Sequence, residues 1–218
     1  MALVIFDCDG VLVDSEIISN GLLAEMMTEL GHAMTTEQAL GKFAGRSLAD
    51  VLALAEDVLG RKIPQDLGQL YGGRLSERLR RDLKPVPGAK AAIAALPYPR
   101  CVASSSTFER IRLSLEVTDL APLFDDNIFS ATQVAHGKPA PDLYLFAARA
   151  MGTASADCIV IEDSALGVAA AVSAGMAVIG FTGAGHATAN LAKNLAAAGA
   201  RQVLSAMSEL PTAIAALV

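Results

Sequence analysis

Residues 1–16 read Met1-Ala-Leu-Val-Ile-Phe-Asp-Cys-Asp-Gly-Val-Leu-Val-Asp-Ser-Glu16. The apolar run at residues 2–6 ends abruptly in Asp7-Cys8-Asp9-Gly10, and a short continuous run of this kind predicts a buried strand. Two carboxylates two residues apart on an extended chain point to the same side. Burying one beside the other costs free energy unless a cation or a shared proton relieves the repulsion. We therefore expect the end of this strand to bind a metal, to perform acid–base chemistry, or both.

The composition limits the class of protein. With 218 residues, 53% of them hydrophobic, the chain has the size of one α/β domain or of a core with a smaller insert. A net charge of −6 disfavours nucleic acid as a partner, because nucleic-acid-binding proteins usually present a basic face. No apolar run approaches the roughly 20 residues of a membrane helix, and the first run lacks the length and basic flank of a secretory signal. We expect a cytoplasmic protein that binds neither nucleic acid nor membrane.

Strand patterns alternate with helical patterns over most of the chain. Strands are predicted at residues 2–6, 101–104, 127–129, 158–161, 177–181 and 202–204. Helices are predicted between them at residues 89–96, 108–115, 142–151, 165–174 and 187–198. Such alternation is typical of parallel strands joined by crossover helices. The predicted class is α/β, with a three-layer α/β/α Rossmann-like core built on a parallel sheet.

The alternation fails between residues 15 and 84. This segment shows helical patterns only, at residues 16–30, 37–40, 48–59 and 65–83, and Pro85-Val86-Pro87-Gly88 marks the return to the α/β pattern. We predict a catalytic core of residues 1–14 and 85–218 with a small helical cap domain, residues 15–84, inserted after the first strand. Ligands of open α/β sheets bind at the carboxyl ends of strands, so the cap is expected to cover the site as a lid.

Polar side chains follow four of the predicted strands. The segments are Asp7-Cys8-Asp9, Ser104-Ser105-Ser106-Thr107, Gly137-Lys138-Pro139-Ala140-Pro141-Asp142 and Glu162-Asp163-Ser164. If the strands are parallel neighbours, these groups converge on one crevice. Carboxylates, a lysine and a hydroxyl together suit a hard cation plus an anion, and oxygen ligands favour Mg²⁺, which also binds substrate phosphate. The pattern is therefore suited to phosphoryl transfer.

The same four segments resemble the signature motifs of the haloacid dehalogenase-like hydrolase superfamily. The order and spacing match, and the helical insert after the first strand resembles the small helical cap of that superfamily. The similarity spans nearly the whole chain and is greatest to the subgroup that contains β-phosphoglucomutase, sugar-phosphate phosphatases and 6-phosphogluconate phosphatase. The resemblance implies a Mg²⁺-dependent phosphatase that hydrolyses a small phosphorylated metabolite, a sugar or sugar-acid phosphate.

The resemblance also implies a role for each motif residue. Asp7 is expected to be the nucleophile that forms an aspartyl-phosphate, and Asp9 the general acid and then the general base. Ser104 and Lys138 are expected to bind the transferring phosphoryl group, with the backbone N–H of Ser105. The implied metal ligands are Asp7, the backbone carbonyl of Asp9, Asp163, and Glu162 directly or through water.

Substrate specificity is expected to come from the cap. Gly45-Arg46-Ser47 resembles the cap loop that reaches into the site, so Arg46 is a candidate clamp for a carboxylate or a second phosphate. Glu16 and Asn20 lie on the first predicted cap helix and are further candidates for substrate binding. His186 follows Gly183-Ala184-Gly185 near the predicted rim, but the pattern gives it no role. We expect a monomer or a weak homo-oligomer.

Three other functions fit parts of this pattern. A sugar-phosphate mutase like β-phosphoglucomutase would use the same Asp7 and Asp9, but in that family a histidine of the first cap helix gates the acid, and Ser19 stands there. A dehalogenase would lack Asp9, because its leaving group needs no proton. A phospho-receiver domain would lack the long helical insert. The phosphatase is our interpretation, and the mutase is the alternative.

Overall fold

The computed structural model of the protein describes residues 2–218. Over these residues the core is a six-stranded sheet with strands β1 (Leu3–Phe6), β2 (Arg100–Ser104), β3 (Ile128–Ser130), β4 (Cys158–Glu162), β5 (Ala177–Phe181) and β6 (Gln202–Leu204). The order across the sheet is β3-β2-β1-β4-β5-β6, and every neighbouring pair is parallel. The predicted α/β class with a parallel sheet is confirmed.

Helices flank the sheet and fill the segment after β1. Between β1 and β2 the chain forms α1 (Glu16–Glu29), α2 (Thr36–Phe43), α3 (Leu48–Leu59), α4 (Leu67–Asp82) and α5 (Ala89–Ala94). The remaining α-helices are α6 (Phe108–Val117), α7 (Asp142–Ala150), α8 (Ala165–Ser173), α9 (Leu191–Ala198) and α10 (Leu210–Ala215). Within residues 2–218, every helix falls short of the length and apolar character that a membrane crossing demands.

The central strand β1 is buried on both faces. Leu3 and Ile5 pack in one apolar cluster with helices α7 and α8, whereas Val4 and Phe6 pack in another with α5 and α6. All four side chains are fully buried, which explains why the strand is a continuous apolar run instead of an alternating one. Because helices cover both faces, the core has the predicted three layers.

The four helices α1 to α4 pack against one another and against the core. Helix α1 contacts α2 and α4, and Arg74 and Arg78 of α4 form ion pairs with Glu29 and Glu25 of α1. A small apolar cluster joins α1, α2 and α3 through Ala24, Ala39, Phe43 and Val51. Other side chains of α1 and α4 belong to the larger cluster of the core, namely Leu22, Met26, Leu75 and Leu79. The helical segment is thus seated on the core through α1 and α4.

The two chain segments that lead into and out of these helices run side by side. The amide N–H of Asp14 donates to the carbonyl of Lys84 at 3.0 Å, and that of Val86 donates to the carbonyl of Leu12 at 2.9 Å. Both segments lie at the carboxyl end of β1, next to the Asp7-Cys8-Asp9 segment. The helices are therefore placed over the edge of the sheet where ligands of open α/β folds bind.

Some predicted boundaries were wrong, and the largest error concerns the helix expected at residues 187–198. Helix α9 begins only at Leu191, and residues 182–190 form a loop instead. The amide N–H of Gly185 in this loop donates to Oδ1 of Asp14 at 3.1 Å, which ties the loop to the end of β1. The alanine-rich spacing could not reveal this tertiary contact. Helix α2 is longer than the predicted 37–40, and β3 lies one residue later than predicted.

Candidate active site

The carboxyl ends of four strands bring the predicted motif residues together. Asp7 follows β1 directly, Ser104 ends β2, and Glu162 ends β4 with Asp163 next to it. The register aligns Phe6 of β1 with Ile161 of β4, so Asp7 and Glu162 emerge at the same level. Lys138, in the segment after β3, completes the group from the other side.

Lys138 lies between two buried carboxylates. Its Nζ donates to Oδ1 of Asp7 at 3.0 Å and to Oε1 of Glu162 at 2.7 Å, and its side chain is 2% exposed. Burial alone would lower the pKa of Lys138, but the charges of Asp7 and Glu162 outweigh burial and raise it well above its usual value. Lys138 is therefore a fixed cation beside Asp7.

Glu162 is held from every side. Besides Lys138, the Tyr144 hydroxyl donates to its Oε1 at 3.2 Å, and the backbone N–H of Ser164 donates to its Oε2 at 2.7 Å. Gly167 allows this packing, because a Cβ there would lie 1.6 Å from Oε1 of Glu162. Donors occupy both carboxylate oxygens of Glu162, and the contact with its Oε1 holds Lys138 beside Asp7.

An acidic cluster lies beside this lysine. Asp7, Glu162 and Asp163 each offer a carboxylate oxygen, and the three atoms lie within 4.8 Å of one another. Burial raises the pKa of Asp7 well above its usual value, although Lys138 opposes the shift, and burial raises that of Asp163 to about 6. Buried carboxylates this close need a positive charge, and an all-oxygen donor set suits a hard cation such as Mg²⁺. The residues present therefore fit the expected metal.

Gly10 is needed for the acidic cluster to form. It has a positive φ of +78°, and a Cβ at this position would lie 1.9 Å from Oδ2 of Asp163. The glycine thus lets the loop after β1 turn sharply and lets Asp163 approach it closely. This explains in physical terms why Asp9 is followed by glycine.

The side chain of Asp9 has partners that sequence reasoning missed. Ser15 Oγ and Arg110 Nη2 donate to its Oδ1, the latter at 2.8 Å, and Ser106 Oγ donates to its Oδ2 at 2.6 Å. Burial would raise the pKa of Asp9, but the Arg110 charge and these hydrogen bonds outweigh burial and lower it. Arg110 occupies the first turn of α6, whose N-cap is Thr107. In the sequence, the run of serines and a threonine before a predicted helix indicated that polar side chains lie at this strand end.

Two further residues of the site, His186 and Ser104, contact polar neighbours. Nε2 of His186 lies 3.0 Å from Oδ2 of Asp163, and the His186 side chain is 9% exposed. Ser104 is buried, and its Oγ accepts a hydrogen bond from the backbone N–H of Ser106 at 3.1 Å. His186 thus contacts the acidic cluster directly, although the sequence pattern assigned it no role.

Two cavities that share part of their lining lie between helices α1, α3 and α4 and the carboxyl ends of the strands. A small one of about 30 Å³ reaches Asp7, Asp9 and Ser104, and a large cleft of about 800 Å³ opens beside it under α3 and α4. Five residues line both cavities, namely Arg46, Ser105, Ser106, Arg110 and Lys138. A ligand with a small anionic end and a larger body would therefore span this junction.

The cap residues predicted to bind substrate occupy different positions. Arg46 is exposed at the rim, where its Nε donates to the carbonyl of Lys42, and a Cβ on its neighbour Gly45 would lie 2.9 Å from Ser164 Cβ. Glu16 is buried and lines the small cavity, and burial together with the nearby Asp9 charge raises its pKa to about 7. The Nδ2 of Asn20 donates to Oε2 of Glu16 at 2.6 Å, so Asn20 supports Glu16 from behind.

Comparison with known proteins places this architecture in one family. Residues 1–175 match the model of the haloacid dehalogenase-like hydrolases. The 6-phosphogluconate phosphatase of Escherichia coli K12 is 31% identical over 186 residues, which is 84% of this chain and 83% of that protein. The chain therefore belongs to the haloacid dehalogenase-like hydrolase family, and the resemblance inferred from the sequence is confirmed.

Solved structures agree with this assignment. A haloacid dehalogenase-like protein of Agrobacterium tumefaciens C58 is 39% identical with a TM-score of 0.86, over 100% of this chain and 99% of that one. A family hydrolase of Deinococcus radiodurans R1, solved with bound phosphate and sodium, is 32% identical with a TM-score of 0.80, over 100% of this chain and 96% of that one. The whole described chain thus has the fold of this family, and the protein is one of its hydrolases.

Proposed function

We propose that this enzyme is a Mg²⁺-dependent phosphatase that hydrolyses small phosphorylated sugars or sugar acids through an aspartyl-phosphate on Asp7. One observation carries the proposal: Lys138 is fixed 3.0 Å from Asp7 in the lining of a cavity that Asp9 also lines. This arrangement presents an oxygen nucleophile, a cation beside it and a proton carrier two residues away. The phosphatase activity of the Escherichia coli relative supports the same reaction class.

The two proposed steps use Asp7 and Asp9 in turn. A carboxylate oxygen of Asp7 attacks phosphorus while Asp9 gives a proton to the departing alcohol oxygen. The dianionic phosphate next to Asp9 favours the protonated form of that carboxyl, against the pull of Arg110. In the second step Asp9 takes a proton from the attacking water, and the Asp7–phosphorus bond breaks to release inorganic phosphate.

Groups that are already in position would stabilise the negative charge on the phosphoryl oxygens. Lys138 supplies a fixed positive charge, and we propose that Ser104 and the backbone N–H groups of Cys8, Asp9 and Ser105 donate hydrogen bonds. Glu162 keeps Lys138 in position through the 2.7 Å contact. Donors held in advance cost no reorganisation when the reaction occurs.

The metal is proposed to lie on the acidic side of Asp7. Asp7 and Asp163 would hold it with side-chain oxygens and Asp9 with its backbone carbonyl, while Glu162, whose oxygens already accept hydrogen bonds, would assist through water. When bound, Mg²⁺ supplies positive charge that neutralises the phosphoryl oxygens and the crowded carboxylates. Asp163 is held for this purpose by its contact with His186.

The helical segment is proposed to act as the lid of this site. The core would be residues 1–14 and 85–218 and the cap residues 15–84, with a hinge at the paired segments around Asp14 and Lys84. Arg46 and Glu16 would then meet the substrate when the lid is closed, with Asn20 holding Glu16. Closure excludes water from the phosphoryl group during the first step.

A mutase of the β-phosphoglucomutase type is the alternative. Ser19 stands where that family is expected to carry a gating histidine, and its Oγ donates to the carbonyl of Glu16 within α1, which leaves no proton-transferring group there. We therefore favour the hydrolase. A monomeric or weakly oligomeric state and a cytoplasmic location remain predictions from the sequence.

Phosphate release from a panel of sugar, sugar-acid and short-chain phosphates, with Mg²⁺ and with EDTA, tests the proposal. The panel includes β-glucose 1-phosphate, assayed for both free phosphate and isomerised product. Metal-dependent release concentrated on one class of substrate is the expected result. Isomerisation without release would establish the mutase instead, and no turnover of any phosphomonoester would refute both.

A further inference from the structure

The junction between the two cavities determines which part of a substrate meets which side chain. A phosphomonoester with its phosphate beside Asp7 would extend its leaving group toward the large cleft, because the two cavities share five lining residues. The atoms nearest the ester oxygen then pass Arg110 and Ser106, which line both cavities. Arg110 is thus a wall of the passage through which the leaving group runs.

Arg110 has hydrogen-bonding capacity that the described residues do not use. Its Nη2 donates to Oδ1 of Asp9, but its Nε is buried and has no hydrogen-bond partner among residues 2–218. Asp9 already accepts from Ser15 and Ser106, so it does not need the whole guanidinium. The Nη1 of Arg110 also has no acceptor among residues 2–218 and, unlike Nε, is not buried, so it is free to donate to a ligand.

The other cations at the junction are less suited to read a substrate. Lys138 is committed to Asp7 and Glu162, and Arg46 is exposed at the rim. Arg110, in contrast, projects from the first turn of α6, where its backbone N–H donates to the Thr107 cap, and its side chain is 23% exposed. A guanidinium held in this way by Asp9 presents its remaining terminal nitrogen to a carboxylate without further ordering.

We propose that Arg110 is a specificity-determining residue that binds a carboxylate on the leaving group, so that phosphorylated sugar acids are preferred over uncharged sugar phosphates. The inference rests on the phosphatase function proposed above. The carboxylate accepts its hydrogen bond from Nη1, for which residues 2–218 provide no acceptor, while Nη2 keeps its bond to Asp9. No covalent change in Arg110 is involved.

The test compares substrates that differ only in the carboxylate. The two pairs are 6-phosphogluconate with glucose 6-phosphate, and 3-phosphoglycerate with glycerol 3-phosphate, each assayed for kcat and KM with the wild-type enzyme and with Arg110→Met and Arg110→Lys. We expect the wild type to prefer the acid of at least one pair by about 10–100-fold in kcat/KM, and Arg110→Met to abolish that preference. Arg110→Lys keeps the charge without the fork and should retain only part of it.

The ratio within a pair separates recognition from positioning of Asp9. If Arg110 only orients Asp9, its replacement lowers turnover of both members equally and the ratio stays unchanged, which overturns the inference. Arg112→Met is the matched control, because Arg112 lies on the same helix, is about half exposed and contacts only Glu116 and Phe108 among the described side chains. It should leave both kinetic constants at the wild-type level.

Three further outcomes are decisive without any variant. Wild-type enzyme that hydrolyses the uncharged member of each pair as well as the acid overturns the inference even if Arg110→Met does not fold. Inhibition of p-nitrophenyl phosphate hydrolysis by gluconate or glycerate, and not by glucose or glycerol, supports it. Absence of metal-dependent release from every phosphomonoester overturns the proposed phosphatase function and this inference together, whereas equal kcat/KM values overturn this inference alone.

Discussion

His186 Nε2 lies 3.0 Å from Oδ2 of Asp163, a residue of the acidic cluster at the end of β4. The loop that carries His186 is tied to the end of β1, because the N–H of Gly185 donates to Asp14. Burial would lower the pKa of His186, but the hydrogen bond to Asp163 outweighs it and raises the pKa. The contact holds one oxygen of Asp163 in place, as partners of metal ligands commonly do.

The first prediction concerns metal affinity. Replacing His186 by Leu removes the group that orients Asp163, so we expect Mg²⁺ affinity to fall by about 10–100-fold. Isothermal titration calorimetry without substrate measures this directly, and His186→Gln, which can still donate a hydrogen bond, should recover part of the loss. His32→Leu, in the turn after α1, is the matched control. Equal Mg²⁺ affinity in His186→Leu and wild type would remove His186 from this role.

The sequence predicted some contacts of the site well and others not at all. It predicted that Asp7, Lys138 and Glu162 converge, because each follows a strand and parallel strand ends meet at one edge; the structure places them 3.0 and 2.7 Å apart. The pattern did not indicate Arg110 and gave His186 no role, because neither residue reaches the site from the end of a strand. Arg110 reaches Asp9 through the direction of α6, and His186 reaches Asp163 through a loop whose alanine-rich flank resembled a helix. Neither direction is encoded in local periodicity.

Glu16 shows a different limit of sequence reasoning. Its position in the first cap helix predicted a place near the substrate, and it does line the small cavity. The pattern could not show that the carboxyl is buried, or that Asn20 supports it. Burial depends on how α1 packs on the core, which is a property of the whole fold.

The nucleophile assignment predicts that Asp7→Asn abolishes turnover. A neutral amide does not form the acyl phosphate, so kcat should fall by roughly 10³-fold or more while the protein remains folded. The variant should also fail to accumulate acid-stable label from a phosphoryl donor that labels the wild type. Circular dichroism and the thermal midpoint check the fold. Phosphatase activity within 10-fold of wild type would disprove the assignment.

The buried ion pairs of Lys138 predict a large effect on stability. Lys138→Met leaves Asp7 and Glu162 buried without their cation, so the free energy of unfolding should fall by about 3–5 kcal/mol. Urea denaturation in EDTA measures this. Adding Glu162→Gln to the same protein removes one of the stranded charges and should recover part of the loss. Lys90→Met, an exposed lysine of α5, is the control and should change stability by less than about 0.5 kcal/mol.

We expect Arg46 to contribute to substrate binding more than to the chemical step. It is exposed at the rim of both cavities and is anchored only by the hydrogen bond from its Nε to the carbonyl of Lys42. Arg46→Ala should therefore raise KM for anionic substrates several-fold with a smaller change in kcat. Arg61→Ala, a cap arginine that donates to the carbonyl of Leu30, is the matched control. Unchanged KM for every substrate would exclude Arg46 from the site.

We expect the ionisation of Glu16 to make the free energy of unfolding depend on pH when metal is absent. Burial, with the charges of Asp9 and Asp163 nearby, raises its pKa from 4.5 to about 7 in the folded protein. Between these values the folded chain holds a proton that the unfolded chain releases, so the free energy of unfolding falls as pH rises through this window. Above pH 7 the full cost remains, roughly 3 kcal/mol for a shift of this size.

Glu16→Gln tests that dependence, because glutamine keeps the shape and the contact with Asn20 but cannot ionise. In EDTA at pH 8 the variant should be more stable than wild type, and at pH 4.5 the two should be nearly equal, as measured by urea denaturation. Mg²⁺ adds positive charge beside the carboxylates, so it should reduce the difference at pH 8. Glu77→Gln, on the face of α4, is the control and should show no such pH dependence. A Glu16→Gln variant less stable than wild type at pH 8 in EDTA would contradict this prediction. It would show that the fold stabilises the ionised Glu16 carboxylate.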